Sequence, residues 1–247
     1  MSNVRWKAAL IAILTVSATS ILWRPQSQLI ILRRGGKEPP TFVLLHGYAS
    51  SAEHWVPFTR TISFPGRVLL PQAPDKIMRS DGLSEGRAWW NLDLNGHAQT
   101  GNDDLDLQME NPIGLDRAAL KVRSMISTEG NSAAFPFLLG GFSQGAMVSC
   151  QIAFASDEPL AALVILSGTL INEQAWQKQM SRRKRLPVFI SHGRKDTILS
   201  FSLAEHLSRE MKAAGLDVTF FPFDGGHEIP TEVVTALNNF LTRIKTD

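Results

Sequence analysis

Leu138-Leu139-Gly140-Gly141-Phe142-Ser143-Gln144-Gly145-Ala146 is an apolar run that breaks at a serine between glycines and resumes as a helix-forming stretch. Gly141, Ser143 and Gly145 spell G-x-S-x-G, the pattern of a strand that turns sharply at a nucleophile and enters a helix. The flanking glycines let that helix pass close to the strand. A serine held there exposes its hydroxyl at the strand's carboxyl end, beside the positive end of a helix. Such a position suits covalent catalysis.

Outward from this turn, short continuous apolar runs recur at residues 29–32, 41–45, 68–70, 137–139, 163–166, 188–190 and 218–221. Unbroken runs, unlike alternating ones, suit strands covered on both faces. Helical patterns fall between them at 116–127, 144–155, 201–214 and 229–244. The alternation predicts an α/β fold, a mostly parallel central sheet with helices on both faces. No linker divides it, so residues 24–247 are expected to form one domain, a size that 247 residues allow. The stretch 72–112 breaks the rhythm with Trp89-Trp90 and an acidic run. A long structureless connection is usually functional. It is expected either to cover the site as a lid or wall, or to be a surface excursion pinned by the two tryptophans.

A formal net charge of +2 argues against a nucleic-acid partner. The run Arg182-Arg183-Lys184-Arg185 reads as a solvated loop in preference to a docking patch, with a contact to anionic lipid headgroups as the alternative. Residues 1–23 form a separate segment. Arg5 and Lys7 precede an apolar stretch, residues 8–23, followed by Arg24-Pro25. As a helix this would span about 24 Å, short of a hydrocarbon core of about 30 Å. It therefore reads as an export signal or an uncleaved membrane anchor, with the anchor favoured, and Ala18-Thr19-Ser20 offers small residues for cleavage. Cys150 is the single cysteine, so no intramolecular disulfide forms, and its apolar neighbours point to a buried hydrophobe.

A serine hydroxyl needs a base, and the base needs a carboxylate to fix its tautomer. The order expected behind an elbow is serine, acid, histidine. Of the histidines downstream, His206 falls mid-helix, and His192 ends a strand and is expected to pack under a loop. His227 stands in Asp224-Gly225-Gly226-His227-Glu228, just before the last helix, and is the candidate base. Asp196, after the strand at 188–190, is the favoured acid, with Asp224 and Glu228 as rivals beside the base. For the oxyanion, the N–H of Gln144 is one donor, and the other comes from His46-Gly47-Tyr48-Ala49-Ser50.

With these residues located, the chain resembles the phospholipase/carboxylesterase branch of the α/β-hydrolases, which includes acyl-protein thioesterases. The resemblance rests on Leu45-His46-Gly47-Tyr48 with His54-Trp55, Leu70-Pro71-Gln72-Ala73-Pro74, Arg87-Ala88-Trp89-Trp90, the elbow, Leu166-Ser167-Gly168, His192-Gly193 through Asp196, and Gly226-His227-Glu228. It implies Ser143, Asp196 and His227 as a triad, with Tyr48 and Gln144 as backbone donors. It also implies that Trp89 or Trp90 lines the acyl side of the cleft. The chain departs from the family pattern at Ala49, where glycine is usual.

The expected function is hydrolysis of a small-molecule carboxylic ester or thioester through an acyl-enzyme, with no metal or organic cofactor. The alternatives are a membrane-tethered lysophospholipase or acyl-protein thioesterase, and an inert hydrolase scaffold that only binds.

Overall fold

A computed structural model describes residues 29–35, 40–78, 85–92, 111–129 and 136–244. The segment expected to be a signal or anchor lies outside them. Among the described residues, no helix is long and apolar enough to cross a membrane.

Seven strands form the central sheet: β1 (Ile31–Arg34), β2 (Thr41–Leu45), β3 (Arg67–Pro71), β6 (Phe137–Phe142), β7 (Leu160–Leu166), β8 (Pro187–Gly193) and β9 (Asp217–Phe223). Their spatial order is β1-β3-β2-β6-β7-β8-β9. Only β1 runs antiparallel to its neighbour; the other pairings are parallel. β6, which leads into the serine turn, lies at the centre of this order.

Side chains alternate between two apolar layers even where the whole strand is buried. Val43, Leu45, Leu139, Leu163, Ile165, Val188 and Ile190 enter one layer. Phe42, Leu44, Leu138, Val164, Leu166 and Phe189 enter the other. The first layer is closed by helices α2 (Leu115–Thr128), α3 (Gln144–Ala155), α4 (Glu173–Met180) and α5 (Phe201–Ala213). The second is closed by α1 (Ala52–Thr59) and α6 (Thr231–Leu241). α3 is buried from Gln144 to Phe154, which accounts for its lack of a polar face. Cys150 is buried in it, and burial pushes the thiol's pKa up, away from the reactive thiolate.

Two sequence expectations need correction. The stretch 72–112 is not structureless throughout: β4 (Asp75–Met78) and β5 (Glu85–Ala88) pair antiparallel as a separate ribbon. The Arg182–Arg185 run is not simply solvated. The Arg183 guanidinium donates to the carbonyls of Ala153, Ser156 and Glu158 at 2.6, 2.5 and 2.8 Å. It thereby satisfies the carbonyls of Ala153 and Ser156 at the end of α3, which have no helical partner, and ties the following Glu158 to them. Arg182 is paired with Asp157.

Candidate active site

Ser143 joins β6 to α3 with φ 54° and ψ −121°, a left-handed region that L-residues adopt at a cost of about 1–3 kcal/mol. Its N–H donates to the Leu166 carbonyl on β7 at 2.9 Å, and its own carbonyl accepts from Ala146 at 2.9 Å. The neighbouring glycines are demanded by close packing. A Cβ on Gly141 would lie 2.4 Å from the Gly145 carbonyl carbon, and one on Gly145 would lie 2.3 Å from the Leu45 carbonyl oxygen. Helix α3 thus starts against the end of β2, and any side chain at Gly145 would force the two apart.

The position of the candidate oxyanion loop follows from the same contact. A Cβ on Gly47 would stand 3.3 Å from the Cβ of Ser143, so the His46–Ser50 segment lies directly against the serine. Tyr48 is in that segment. Ala49 accepts φ 56°, a value glycine would adopt without strain. The turn is closed by Ser50 N–H to the Gly47 carbonyl at 3.3 Å and bridged to the ribbon by Arg87 N–H to the Ser50 carbonyl at 2.9 Å. Under the loop, the His46 ring is buried. Its Nδ1 lies 2.8 Å from the Gly47 carbonyl, and its Nε2 accepts from the Ala73 N–H at 3.1 Å. A carbonyl only accepts, so the proton is on Nδ1 and the ring is neutral. Burial lowers its pKa to about 4, against a smaller opposing effect of the Gly47 carbonyl.

The tryptophans support this loop from behind. Trp89 and Trp90, one of which the resemblance places on the acyl side of the cleft, are both buried. Trp89 Nε1 donates to the His46 carbonyl at 2.8 Å. The Gln144 side chain accepts from the Trp89 N–H at 2.9 Å and donates to the Trp90 carbonyl at 2.8 Å. The Trp89 ring fills space and its Nε1–H satisfies a backbone carbonyl at once, whereas Trp90 Nε1 is buried without a hydrogen-bond partner among the described residues. The backbone N–H of Gln144 lies in the first turn of α3, where helix N–H groups have no intrahelical acceptor.

Across the sheet edge, the loops after β8 and β9 bring the candidate acid and base together. His227 Nδ1 lies 2.7 Å from Asp196 Oδ2. The Lys195 N–H donates to the Gly225 carbonyl at 2.9 Å and the Arg194 N–H to the Phe223 carbonyl at 2.9 Å, fastening the two loops. The rivals are engaged elsewhere. Asp224 pairs with Lys195 at 2.8 Å, and Glu228 Oε1 accepts from the Gly226 N–H at 3.2 Å. Phe142, the residue before the serine, packs its ring 4.8 Å from that of His227 at an interplanar angle of 48°, which brings the candidate base beside the elbow. Among the described residues no hydrogen bond yet links the Ser143 hydroxyl to His227; such contacts commonly tighten only with substrate.

One residue was underrated by the sequence. His192 packs under the loop as expected, but its Nε2 also lies 3.1 Å from Asp196 Oδ2. Its place at the end of β8, four residues before the acid, is the only signal in the sequence. Burial alone would push the Asp196 carboxyl up, but hydrogen bonds from His192, His227 and the Leu199 N–H outweigh it. They hold the carboxyl well below the usual range. The other histidines are elsewhere: His54 Nδ1 contacts Ser51 Oγ at 3.1 Å, and His206 sits between Glu173 and Glu210. Among the described residues, no group of three or more His, Cys, Asp or Glu could hold a metal ion.

Comparison with known proteins agrees with this architecture. The family model described as phospholipase/carboxylesterase matches residues 27–245. Acyl-protein thioesterase 1 of Neurospora crassa is 25% identical over 203 residues, 80% of each chain. The protein of the same name in Schizosaccharomyces pombe is 26% identical over 222 residues, covering 85% of this chain and 93% of its own. The crystal structure of esterase PE8 superposes with a TM-score of 0.74 at 23% identity, covering 89% of this chain and all of the other.

Proposed function

The chain belongs to the phospholipase/carboxylesterase family, and we propose that it hydrolyses carboxylic esters or thioesters through an acyl-enzyme on Ser143. The observation that carries this reading is the 2.7 Å contact of His227 with Asp196, made beside a serine held at positive φ. Ser143 Oγ attacks the acyl carbonyl carbon and its proton passes to His227 Nε2. Asp196 keeps the proton on Nδ1 and stabilises the imidazolium. The N–H groups of Gln144 and Tyr48 receive the oxyanion, each such donor being worth about 3–4 kcal/mol. The intermediate collapses, the leaving alcohol or thiol takes the proton from His227, and water, deprotonated by the same ring, releases the acid.

The relatives named acyl-protein thioesterases support a thioester among the substrates. The N-terminal segment, by its charge and apolar run, is the anchor or export signal of the same enzyme; N-terminal sequencing of the mature protein separates the two. The catalytic reading is tested with p-nitrophenyl acetate and butyrate and a butyryl thioester. Ser143→Ala is expected to abolish turnover, and equal rates for it and the wild type would end the proposal.

A further inference from the structure

We propose that His192 is a positioning residue for the acid–base pair, a fixed neutral donor that aims Asp196 at His227. The inference rests on the triad reading above.

The Asp196 carboxylate is held from four directions. Oδ1 accepts the backbone N–H groups of Ile198 and Leu199 at 2.9 and 3.0 Å. Oδ2 faces two imidazoles, His227 Nδ1 at 2.7 Å and His192 Nε2 at 3.1 Å. The His192 nitrogen also lies 2.9 Å from the Leu199 carbonyl. That carbonyl cannot donate, so Nε2 carries the proton and shares it between the carbonyl and the carboxylate. The opposite nitrogen, Nδ1, is buried and has no hydrogen-bond partner among the described residues. A second proton there would place an unpaired N–H and a charge where the side chain has no solvent exposure.

His192 therefore serves Asp196 as a donor through Nε2, with Nδ1 directed at no partner among the described residues. It occupies part of the lone-pair capacity of Oδ2 and prevents the carboxylate from rotating away. The remaining charged groups of these loops are turned outward or engaged. Lys195 pairs with Asp224 at the surface, Arg194 lies over the Phe201 ring at 5.1 Å, and the Glu228 carboxylate serves the Gly226 N–H. A residue that only filled space at this position would need no donor directed at the acid.

The first measurement uses the wild-type chain labelled with ¹⁵N-histidine and long-range ¹H–¹⁵N correlation at pH 7.5, with H192Q assigning the signal. The Nε2–H tautomer of His192 is expected; an Nδ1–H tautomer or an imidazolium overturns the proposal. The second uses H192L, which removes the donor, and H192Q, whose amide can reach the same place. H192L should lower kcat on p-nitrophenyl butyrate at least tenfold with KM within twofold, and lose the downfield His227 Nδ1–H proton resonance. H192Q should restore most of both. Equal damage in the two variants, or kcat of H192L within twofold of wild type, overturns the proposal. If H192L does not fold, the tautomer and the H192Q resonance decide. A wild-type chain whose Ser143 resists fluorophosphonate labelling refutes the hydrolase reading instead, and the tautomer measurement still answers for His192.

Discussion

Gln144 reaches with its side chain to the Trp89 N–H at 2.9 Å, so the residue after the elbow serine is tied to a backbone segment 55 positions upstream. The same residue is proposed to serve the oxyanion through its backbone, and the two roles separate by mutation. Gln144→Leu leaves a buried N–H and a buried carbonyl unpaired, at about 1–3 kcal/mol each. Urea unfolding should show a loss of roughly 2–6 kcal/mol. The backbone donor remains, so kcat per folded molecule should stay within about tenfold of wild type.

Ser143 at φ 54° is strained in a way that glycine is not. Ser143→Gly should be inactive yet more stable than wild type by about 1 kcal/mol, the released strain exceeding glycine's added unfolded-state entropy. Ser143→Ala, which keeps a Cβ, should be inactive without that gain. Thermal unfolding of the three proteins distinguishes strain at this turn from a relaxed one.

Gly145→Ala would drive a methyl to 2.3 Å from the Leu45 carbonyl oxygen and 2.5 Å from that of His46. Backbone cannot yield as a side-chain tip can. A loss of about 1–3 kcal/mol is expected. The oxyanion loop moves with that backbone, so kcat should fall more than tenfold even where the variant remains folded by circular dichroism.

His46 is buried neutral, with its pKa lowered to about 4 by burial. In the unfolded chain it titrates near its ordinary value, so between about pH 6.5 and pH 4 the unfolded state binds the extra proton. The stability it contributes is complete above that window and is lost as pH falls through it, on the order of 3 kcal/mol. Denaturant unfolding from pH 7.5 to 4.5 should show a steep decline in the wild type. His46→Gln should be less stable at pH 7.5 and show a shallower decline.

Asp196 is held ionised well below the usual carboxylate range by its hydrogen bonds, which prevail over its burial. Its contribution is present above the unfolded value near pH 4 and is lost as pH falls toward the lower folded value. The stability gap between wild type and Asp196→Asn should therefore narrow below about pH 4. The variant's kcat at pH 7.5 should be down by about 10³–10⁴, because the amide no longer holds the proton on Nδ1 of His227.

Much of this architecture was readable because it depends on local pattern. The strand at 41–45 and the helix at 144–155 agree with β2 and α3 to the residue. The ribbon β4–β5 was missed because its strands are four residues each and gain their stability from pairing. α1 was missed because it is eight residues long with Pro57 inside it, too short for a clear helical period. Arg183 looked like one of four solvated charges, and only the fold brings the carbonyls of 153, 156 and 158 into its reach. The resemblance implies Trp89 or Trp90 at the cleft, and only the fold shows Trp89 bonded to the Gln144 side chain and the His46 carbonyl.

From sequence alone came the elbow, the alternation of strand and helix along the chain, and the candidate serine and histidine. The steric demand for small residues around a sharp strand-to-helix turn is met within five consecutive positions. Sequence favoured Asp196 over Asp224 and Glu228, but only tertiary structure shows it against His227, with His192 sharing its carboxylate and Trp89 bracing the His46–Ser50 segment. Hydrogen bonds act over about 3 Å and only in the right direction. Those that assemble this site join positions 31, 43 and 55 residues apart, where no local pattern of residues records which partners will meet.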